Sequence, residues 1–189
     1  DGKNTEEILD VKDLKIPGVH NIKNVMAAII IAKLFGIDSY TIKRSISSFT
    51  GVEHRIEFVR ELNGVKYYND SKGTNPDSTE VAIAAMDGNV ILIAGGYDKN
   101  SNFDNLIEKS KDKLKTVILL GETADKISNS CKKSDVEFYI VKDLNKAVEL
   151  AKKLSLKGED VLLSPACASW DMYSNYEARG RHFKDLVRE

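Results

Sequence analysis

The chain has 189 residues, of which 42% are hydrophobic, so it holds enough apolar side chains for one good-sized domain or for one domain with an appended piece. Its 28 lysines and arginines nearly cancel its 29 aspartates and glutamates, and the net charge of −1 gives no basic field for a nucleic acid or an anionic membrane. The longest apolar runs are far shorter than the roughly 20 residues that a membrane span needs. We therefore expect a soluble protein that acts on small molecules, with no nucleic-acid or membrane partner.

The cysteines and histidines give no sign of a metal site. Cys131 and Cys167 lie in different segments, without the spacing of a zinc site or of a disulfide framework, and they fit a reducing cytoplasm. His54 and His182 are interpreted as structural. Residues 1–15 are polar, do not begin with Met and lack the apolar core of a signal peptide. We expect a cytoplasmic monomer, and a piece of a longer protein.

Two helices are predicted at the start of the chain. Apolar residues recur at helical spacing from Asn21 to Phe35, which predicts a buried helix, and Gly36 is a stop signal. A second helix is predicted from Ser39 to Phe49, before the chain-breaking Gly51. Two helices alone cannot bury their apolar faces, so residues 1–51 are interpreted as the tail of a preceding domain.

A hairpin and then a repeating strand–helix pattern follow. Ile56–Leu62 and Val65–Asn69 flank Asn63-Gly64, a pair that suits a type I′ turn. The further predicted strands are Val90–Ala94, Thr116–Leu120, Glu137–Val141 and Asp160–Ser164. The predicted helices are Asp77–Met86, Phe103–Lys113, Thr123–Lys132, Leu144–Leu154 and Tyr176–Val187. This alternation predicts an α/β domain over residues 52–189, with a mostly parallel, Rossmann-like sheet that carries helices on both faces.

The loops that follow the strands are the candidate binding segments. In an open α/β sheet, ligands bind beyond the carboxyl ends of the strands, so these loops should share one edge. In the first loop, Asp70 could help to hold a metal-bound nucleotide, while Lys72 and Thr74 could present a cation and a hydroxyl to an anionic substrate. Gly73 would let the backbone come close. A solvated loop with a helix cap explains the same composition.

Two later loops offer further groups for an anion. Gly95–Asn100 combines paired glycines with Lys99, a point charge suited to a carboxylate or phosphate, although an ordinary strand-to-helix turn is the alternative. Ser164–Tyr173 offers backbone N–H groups and the Ser169 hydroxyl. Its Cys167 is better explained as a small buried thiol than as a nucleophile, since no partner histidine is evident.

Five other residues have both a functional and a structural explanation. Asn21 and Asn24 lie on one face of the first predicted helix, near its N-terminus, where they could meet a nucleotide or simply cap the helix. Arg55 could reach a phosphate with its planar fork or form a surface salt bridge. Trp170 and Tyr176 are interpreted as core or pocket wall.

In this order the segments resemble the Mur ligase superfamily, and the resemblance covers nearly the whole chain. HNIKNVMAA resembles the end of the family's central ATPase domain, EHRIE the start of its C-terminal domain, and YYNDSKGTNPDST its shared substrate and nucleotide loop. LLSPACASWDMYSNYEARGRHF is similar to the form found in the ligases that use D-glutamate. This chain departs from the family pattern at Gly73, where alanine is frequent, and at Trp170, where a smaller apolar residue or Phe is expected.

The resemblance implies an ATP-dependent ligase of peptidoglycan synthesis that joins D-glutamate to UDP-N-acetylmuramoyl-L-alanine through an acyl phosphate. It implies that ATP is bound by Asn21, Asn24, Arg55 and Asp70. It implies that D-glutamate is surrounded by Lys72, Thr74, Lys99, Ser169, Trp170 and Tyr176, with Lys72 and Lys99 also catalytic. Mg²⁺ would be held mainly by a part of the central domain that precedes residue 1, so no residue here is assigned to a metal.

The sequence lacks a phosphate-cradling motif of the type G-x-x-x-x-G-K-[ST]. Gly2-Lys3-Asn4-Thr5 has no first glycine and places Asn4 after the lysine, so we expect no ATP turnover by this chain alone. Ligases that add L-alanine, a diamino acid or a dipeptide, or that extend folate with glutamate, are the nearest alternatives. A non-catalytic flavodoxin-like module that binds a small anion is another.

Overall fold

The computed structural model describes residues 5–189 and divides the chain into two compact units, with the boundary between Gly51 and Val52. The residues Gly2, Lys3 and Asn4, considered above for a phosphate cradle, lie outside the described residues. None of the helices within residues 5–189 combines the length and the apolar character that crossing a membrane requires.

The first unit contains a short 3₁₀ helix and two α-helices, listed by their bounds as Val11–Asp13, α1 (Val19–Leu34) and α2 (Ser39–Ser48). Asp38 caps α2, because its carboxylate accepts a hydrogen bond from Thr41 N–H at 2.9 Å. The prediction that the first helix is buried is wrong: α1 has no buried residue, and Leu34 is 82% exposed. Within this unit α1 packs against α2, and two helices cannot cover all of each other's apolar surface.

The second unit is an α/β domain built from six strands and five helices. The strands are β1 (Glu57–Leu62), β2 (Val65–Asn69), β3 (Val90–Ala94), β4 (Leu114–Leu119), β5 (Phe138–Ile140) and β6 (Asp160–Leu163). The helices are α3 (Pro76–Ala84), α4 (Asp104–Ser110), α5 (Ala124–Lys133), α6 (Leu144–Leu154) and α7 (Tyr176–Arg188).

The six strands form one sheet in the order β1-β2-β6-β3-β4-β5. Only β1 runs antiparallel to its neighbour, and all other pairs are parallel, so the predicted α/β fold with a mostly parallel sheet is confirmed. The hairpin between β1 and β2 turns at Asn63 and Gly64, whose φ angles of 54° and 78° have the positive sign of a type I′ turn.

Helices cover both faces of this sheet, as predicted. Along β3, Val90, Leu92 and Ala94 join the apolar cluster that includes α3, α4 and α5. Ile91 and Ile93 point to the opposite face, into the cluster with α6 and α7. All five side chains are at most 1% exposed, and burying each of the larger ones stabilises the fold by about 1.5–3 kcal/mol. This two-sided core fixes the strand ends from which the candidate loops emerge.

Candidate functional site at the carboxyl edge of the sheet

Four loops leave neighbouring parallel strands at the same edge of the sheet. We name them by the strand that precedes each: the β2 loop (residues 70–75), the β6 loop (164–175), the β3 loop (95–103) and the β4 loop (120–123). The β6 loop lies between the β2 and β3 loops because β6 lies between β2 and β3.

Backbone hydrogen bonds join the β6 loop to the loops on both sides of it. Ala166 N–H donates to the Gly73 carbonyl at 2.9 Å, which ties the β6 loop to the β2 loop. Tyr97 N–H donates to the Ala168 carbonyl at 3.0 Å in an isolated antiparallel bridge, which ties it to the β3 loop. The predicted convergence of these loops on one edge is confirmed.

Lys72 and Tyr176 lie together at this edge. The Lys72 ammonium is 5.6 Å from the centroid of the Tyr176 ring, a cation–π distance, and Lys72 is exposed. The Lys72 backbone is held, because its N–H donates to the His54 carbonyl at 3.0 Å. Thr74 is half-buried two residues further on, and its N–H donates to the Lys72 carbonyl at 2.9 Å. The β2 loop therefore presents a fixed backbone and an exposed ammonium that lies over the Tyr176 ring.

Lys99, Ser169 and Trp170 occupy the other two loops. Lys99 is exposed and forms no hydrogen bond or ion pair with any residue that the structure describes. Ser169 is 2% exposed, whereas Trp170 is 66% exposed and stacks at a tilt on Tyr97, with 5.4 Å between ring centroids. The residues expected to surround D-glutamate thus lie on three adjoining loops and the first turn of α7. Their roles stay predictions.

Asp70 is buried within the β2 loop, at 4% exposure. Its two carboxylate oxygens accept hydrogen bonds from Ile56 N–H at 3.1 Å and from the Ser164 hydroxyl at 2.7 Å. Burial raises the pKa of Asp70 to about 6, against the opposing effect of these hydrogen bonds and of the Arg55 charge. The Asp70 carboxylate therefore has a structural role, because its hydrogen bonds hold the β2 loop in place. Its predicted contact with ATP is an expectation that the geometry does not address.

The other residues predicted to bind ATP belong to two separate parts of the chain. In the first unit, Asn21 is half-buried, and its side-chain amide donates to the Pro17 carbonyl, while Asn24 is exposed on α1. In the second unit, Arg55 is exposed at the start of the domain, between two residues with positive φ, His54 and Ile56. A shared role for these side chains stays a prediction.

Arg179 is the main site residue to which the sequence analysis assigned no role. It is 2% exposed, and its guanidinium donates to Ser71 Oγ (3.0 Å), the Ser71 carbonyl (2.9 Å), the Cys167 carbonyl (3.1 Å) and the Ala168 carbonyl (3.3 Å). Ser71 Oγ donates in turn to the Tyr176 carbonyl at 2.8 Å. Burial lowers the pKa of Arg179 to about 10, so the group is still a cation at neutral pH. One side chain therefore links the β2 loop, the β6 loop and α7.

Asn69, at the end of β2, is a second residue that the sequence analysis did not single out. It is fully buried, and its amide nitrogen lies 2.9 Å from His54 Nδ1 and donates to a Glu57 carboxylate oxygen at 3.0 Å. Its amide oxygen accepts from Ser71 N–H at 3.1 Å. Burial lowers the pKa of His54, so the ring is neutral at neutral pH. His54 is thus part of the support of the β2 loop, in line with its structural interpretation.

Glu53, His54 and Glu57 place ligand atoms within 4.8 Å of one another, as a metal site would. A cation from the protein already lies there: the Lys184 ammonium is 2.6 Å from a Glu53 oxygen and 3.0 Å from a Glu57 oxygen. The negative charge of Glu53 and Glu57 is therefore balanced by Lys184.

Cys167 has the surroundings expected of a small buried thiol. It is 2% exposed, its sulfur lies 3.2 Å from Thr123 Oγ1, and burial raises its pKa to about 11. A thiol with so high a pKa is not a thiolate nucleophile at neutral pH. Thr123 instead serves the β3 loop, since its hydroxyl oxygen accepts from Gly96 N–H at 3.1 Å.

Sequence relatives share nearly the whole chain. Residues 54–167 match the family described as "Mur ligase, glutamate ligase domain". The UDP-N-acetylmuramoylalanine–D-glutamate ligase of Clostridioides difficile (strain 630) is 54% identical over 182 residues, which are 96% of this chain and 40% of that protein. The ligase of the same name from Thermoanaerobacter sp. (strain X514) is 49% identical over 98% of this chain and 42% of its own length. The chain therefore spans about two fifths of these curated relatives.

Solved structures share the fold at low sequence identity. The UDP-N-acetylmuramate-alanine ligase MurC of Thermotoga maritima has a TM-score of 0.69 at 20% identity, over 93% of this chain and 39% of that one. A folylpolyglutamate synthase of Mycobacterium tuberculosis, complexed with ADP and AMPPCP, has a TM-score of 0.66 at 13% identity, over 90% of this chain and 41% of that one. These likenesses support the architecture, and the family follows from the sequence matches. The chain belongs to the Mur ligase family and contains its glutamate ligase domain.

Proposed function

We propose that this chain is the C-terminal part of a cytoplasmic, ATP-dependent ligase that joins D-glutamate to UDP-N-acetylmuramoyl-L-alanine in peptidoglycan synthesis. The observation that carries the proposal is the 54% identity, over 96% of the chain, to a ligase of that name. In the proposed assignment, residues 1–51 are the end of the central ATP-binding domain, and residues 52–189 are the C-terminal domain.

The proposed chemistry converts the substrate carboxylate to an acyl phosphate, which the amine of D-glutamate then attacks with loss of phosphate. In such a reaction the protein contributes mainly by positioning and by positive charge. Lys72 and Lys99 are exposed cations of the edge, and each lies on a different loop. We assign them to the anionic groups of the reactants. Thr74, Ser169, Trp170 and Tyr176 complete the proposed D-glutamate pocket.

We assign the nucleotide to Arg55, Asn21 and Asn24, all of which carry polar groups suited to phosphates or a base. Asp70 is assigned to the nucleotide as well, through the β2 loop that its two hydrogen-bonded carboxylate oxygens hold in place. Mg²⁺ would supply positive charge on the phosphates. It does not fit the carboxylates of Asp70, Glu53 and Glu57, since those of Asp70 are satisfied and those of Glu53 and Glu57 hold Lys184. We assign it to no residue of this chain.

The amino-acid specificity is tested with the complete ligase. The enzyme is offered UDP-N-acetylmuramoyl-L-alanine and ATP together with D-glutamate, L-glutamate, L-alanine or a diamino acid, and phosphate release is measured. We expect release with D-glutamate alone. A preference for another amino acid would place the chain with a sister ligase, and phosphate release with none would favour a non-catalytic anion-binding module.

The pocket is tested with two lysine variants of the complete ligase. Lys72→Ala and Lys99→Ala should each lower D-glutamate-dependent phosphate release by about 100-fold, because each removes a charge from the reaction site. Lys157→Ala is the matched control, since Lys157 is an exposed lysine that precedes β6 at the other edge of the sheet. Near-normal activity of both test variants would overturn the assignment of the pocket.

We also propose that the 189 residues alone do not turn over ATP, because the sequence has no G-x-x-x-x-G-K-[ST] motif. Phosphate release by the chain, above that of its Lys99→Ala variant, would contradict this.

A further inference from the structure

Arg179 is a buried cation whose hydrogen-bond partners are all neutral. Its four hydrogen bonds end on one hydroxyl and three backbone carbonyls. Among residues 5–189, no carboxylate lies within ion-pair distance of its guanidinium. Buried charges in proteins are usually paired with an opposite charge. The carboxylates of Asp171 and Asp70 favour its charge only from beyond that distance, so the guanidinium is held in place mainly by its hydrogen bonds to the loops.

The partners of Arg179 lie next to residues of the proposed D-glutamate pocket. Ser71 precedes Lys72 in the β2 loop, and Ala168 precedes Ser169 in the β6 loop. The β3 loop passes beside the same group, because a Cβ added to Gly96 would lie 3.3 Å from Arg179 Nη1. A single guanidinium thus joins the β2 and β6 loops and lies beside the β3 loop.

We propose that Arg179 is a positioning residue for the amino-acid substrate, because its buried guanidinium hydrogen-bonds the β2 and β6 loops and so fixes the spacing at which Lys72 and Ser169 meet one substrate molecule. This inference rests on the proposed function, and it adds a residue outside the predicted pocket.

The guanidinium is suited to this task and an ammonium is not. Its planar fork reaches acceptors in two loops at once, on Ser71 and on Cys167 and Ala168. Lysine would keep the charge but concentrate its donors at one point, so buried carbonyls would lose their partners. Arg179→Lys therefore separates the geometry from the charge.

The test measures kcat and KM for D-glutamate and for ATP in the complete ligase. We expect Arg179→Lys to lower kcat/KM for D-glutamate by about 100-fold, as a small misplacement of reacting groups does, and to leave KM for ATP unchanged. In Arg179→Ala, added guanidinium ion should restore part of the activity, and methylammonium should not. Arg181→Lys, an exposed arginine two residues further along α7, is the matched control and should behave as wild type.

Three outcomes would overturn the proposal. One is normal kcat and KM for Arg179→Lys. Another is a loss that is equal for both substrates and follows the unfolded fraction in a thermal melt, which would make Arg179 only structural. The third is rescue by methylammonium as effective as rescue by guanidinium. If wild type instead prefers another amino acid, the proposed function fails, and the same variants are measured with that amino acid.

Discussion

The β2 and β3 loops each bring a lysine to the same edge of the sheet, but the two lysines are restrained to different degrees. In the β2 loop, Asp70 is held by buried hydrogen bonds, and the backbone of Lys72 is bound to the His54 carbonyl. In the β3 loop, Gly96 bonds Thr123, Tyr97 bonds Ala168, and the Asp98 carboxylate pairs with Lys126 at 2.9 Å. The Lys99 side chain, by contrast, has no partner among residues 5–189.

The difference teaches how each lysine can serve an anion. Lys72 stands on a backbone that is already ordered, so little conformational entropy is lost there on binding. Lys99 must be ordered by the ligand, and a lysine side chain carries about 2 kcal/mol of rotamer entropy. We therefore expect the β2 loop to tolerate little change of shape, and the tip of the β3 loop to matter for binding without mattering for stability.

The largest effect is expected at the root of the β3 loop. Gly96 has φ 146°, and an added Cβ would overlap the Ala168 carbonyl oxygen. Gly96→Ala should lower the free energy of unfolding by about 3–5 kcal/mol, of which the positive φ accounts for about 1–2 kcal/mol. Gly158→Ala is the matched control for urea unfolding, since Gly158 has φ 91° and nothing within 4 Å of an added Cβ. Equal losses in the two variants would mean that the root moves freely.

The next effect concerns the buried carboxylate of the β2 loop. The pKa of Asp70 is about 6 in the folded protein, above its ordinary value of 3.8, so its contribution to stability is full at low pH and is lost as pH rises through 6. Asp70→Asn removes this titration. Its free energy of unfolding, relative to wild type, should rise by about 2 kcal/mol between pH 4 and pH 7. A difference that is flat across this range would show that Asp70 is not the buried acid described.

A smaller effect is expected at Gly73, where this chain departs from the family pattern. An added Cβ would overlap an Asp70 carboxylate oxygen and lie 2.7 Å from Ser164 Oγ, so Gly73→Ala must displace the hydrogen bond between those side chains. We expect a loss of about 1–2 kcal/mol in the free energy of unfolding. In an Asp70→Ala background the nearest of these atoms is gone and the Ser164 hydroxyl is released from it, so the loss should become smaller. Additive losses in this double-mutant cycle would contradict the overlap.

The smallest effect is expected at the tip of the β3 loop. Lys99→Ala should change the free energy of unfolding by less than about 0.5 kcal/mol, because Lys99 is exposed and has no partner among the described residues. Lys184→Ala, which removes the ammonium from Glu53 and Glu57, should be clearly less stable in the same urea titration. A destabilised Lys99→Ala variant would mean that this tip is restrained after all.

Much of the fold could be predicted because local patterns and tertiary packing agree. β2, β3 and α6 have the predicted bounds. β3 is an uninterrupted apolar run between turn residues, and α6 starts behind Asp143, whose carboxylate accepts from Lys146 N–H at 3.0 Å. The Asn63-Gly64 pair likewise favours a type I′ turn by its local backbone preference alone.

Predicted element boundaries are wrong where contacts between residues far apart in the sequence determine them. The helix predicted to reach Lys113 ends at Ser110, and β4 begins at Leu114, because the Lys113 carbonyl accepts from Val90 N–H and so belongs to the sheet. The exposed face of α1 is a similar case, since periodicity shows that a face is apolar and does not show what covers it.

The candidate site likewise contains residues that the sequence could reveal and residues that it could not. Lys72 and Lys99 could be proposed because a cation directly after an apolar strand stands out in the sequence. Arg179 could not, because it bonds Ser71 across 108 residues and otherwise meets backbone carbonyls, which any residue carries. Its flanking Ala178 and Gly180 are a weak hint of close packing around a long side chain.

The contact between Asn69 and His54 fixes where the imidazole proton lies. The Asn69 amide cannot turn over, because its oxygen accepts from Ser71 and its nitrogen also donates to Glu57. Its nitrogen must therefore donate to His54 Nδ1, and a neutral ring must carry its own proton on Nε2. Neither nitrogen then has a lone pair for a metal ion. Protonation of Nδ1 would break its hydrogen bond with the Asn69 amide, whose oxygen holds the backbone N–H of Ser71, the residue before Lys72. Protonation of His54 at low pH should therefore also loosen the backbone that leads to Lys72.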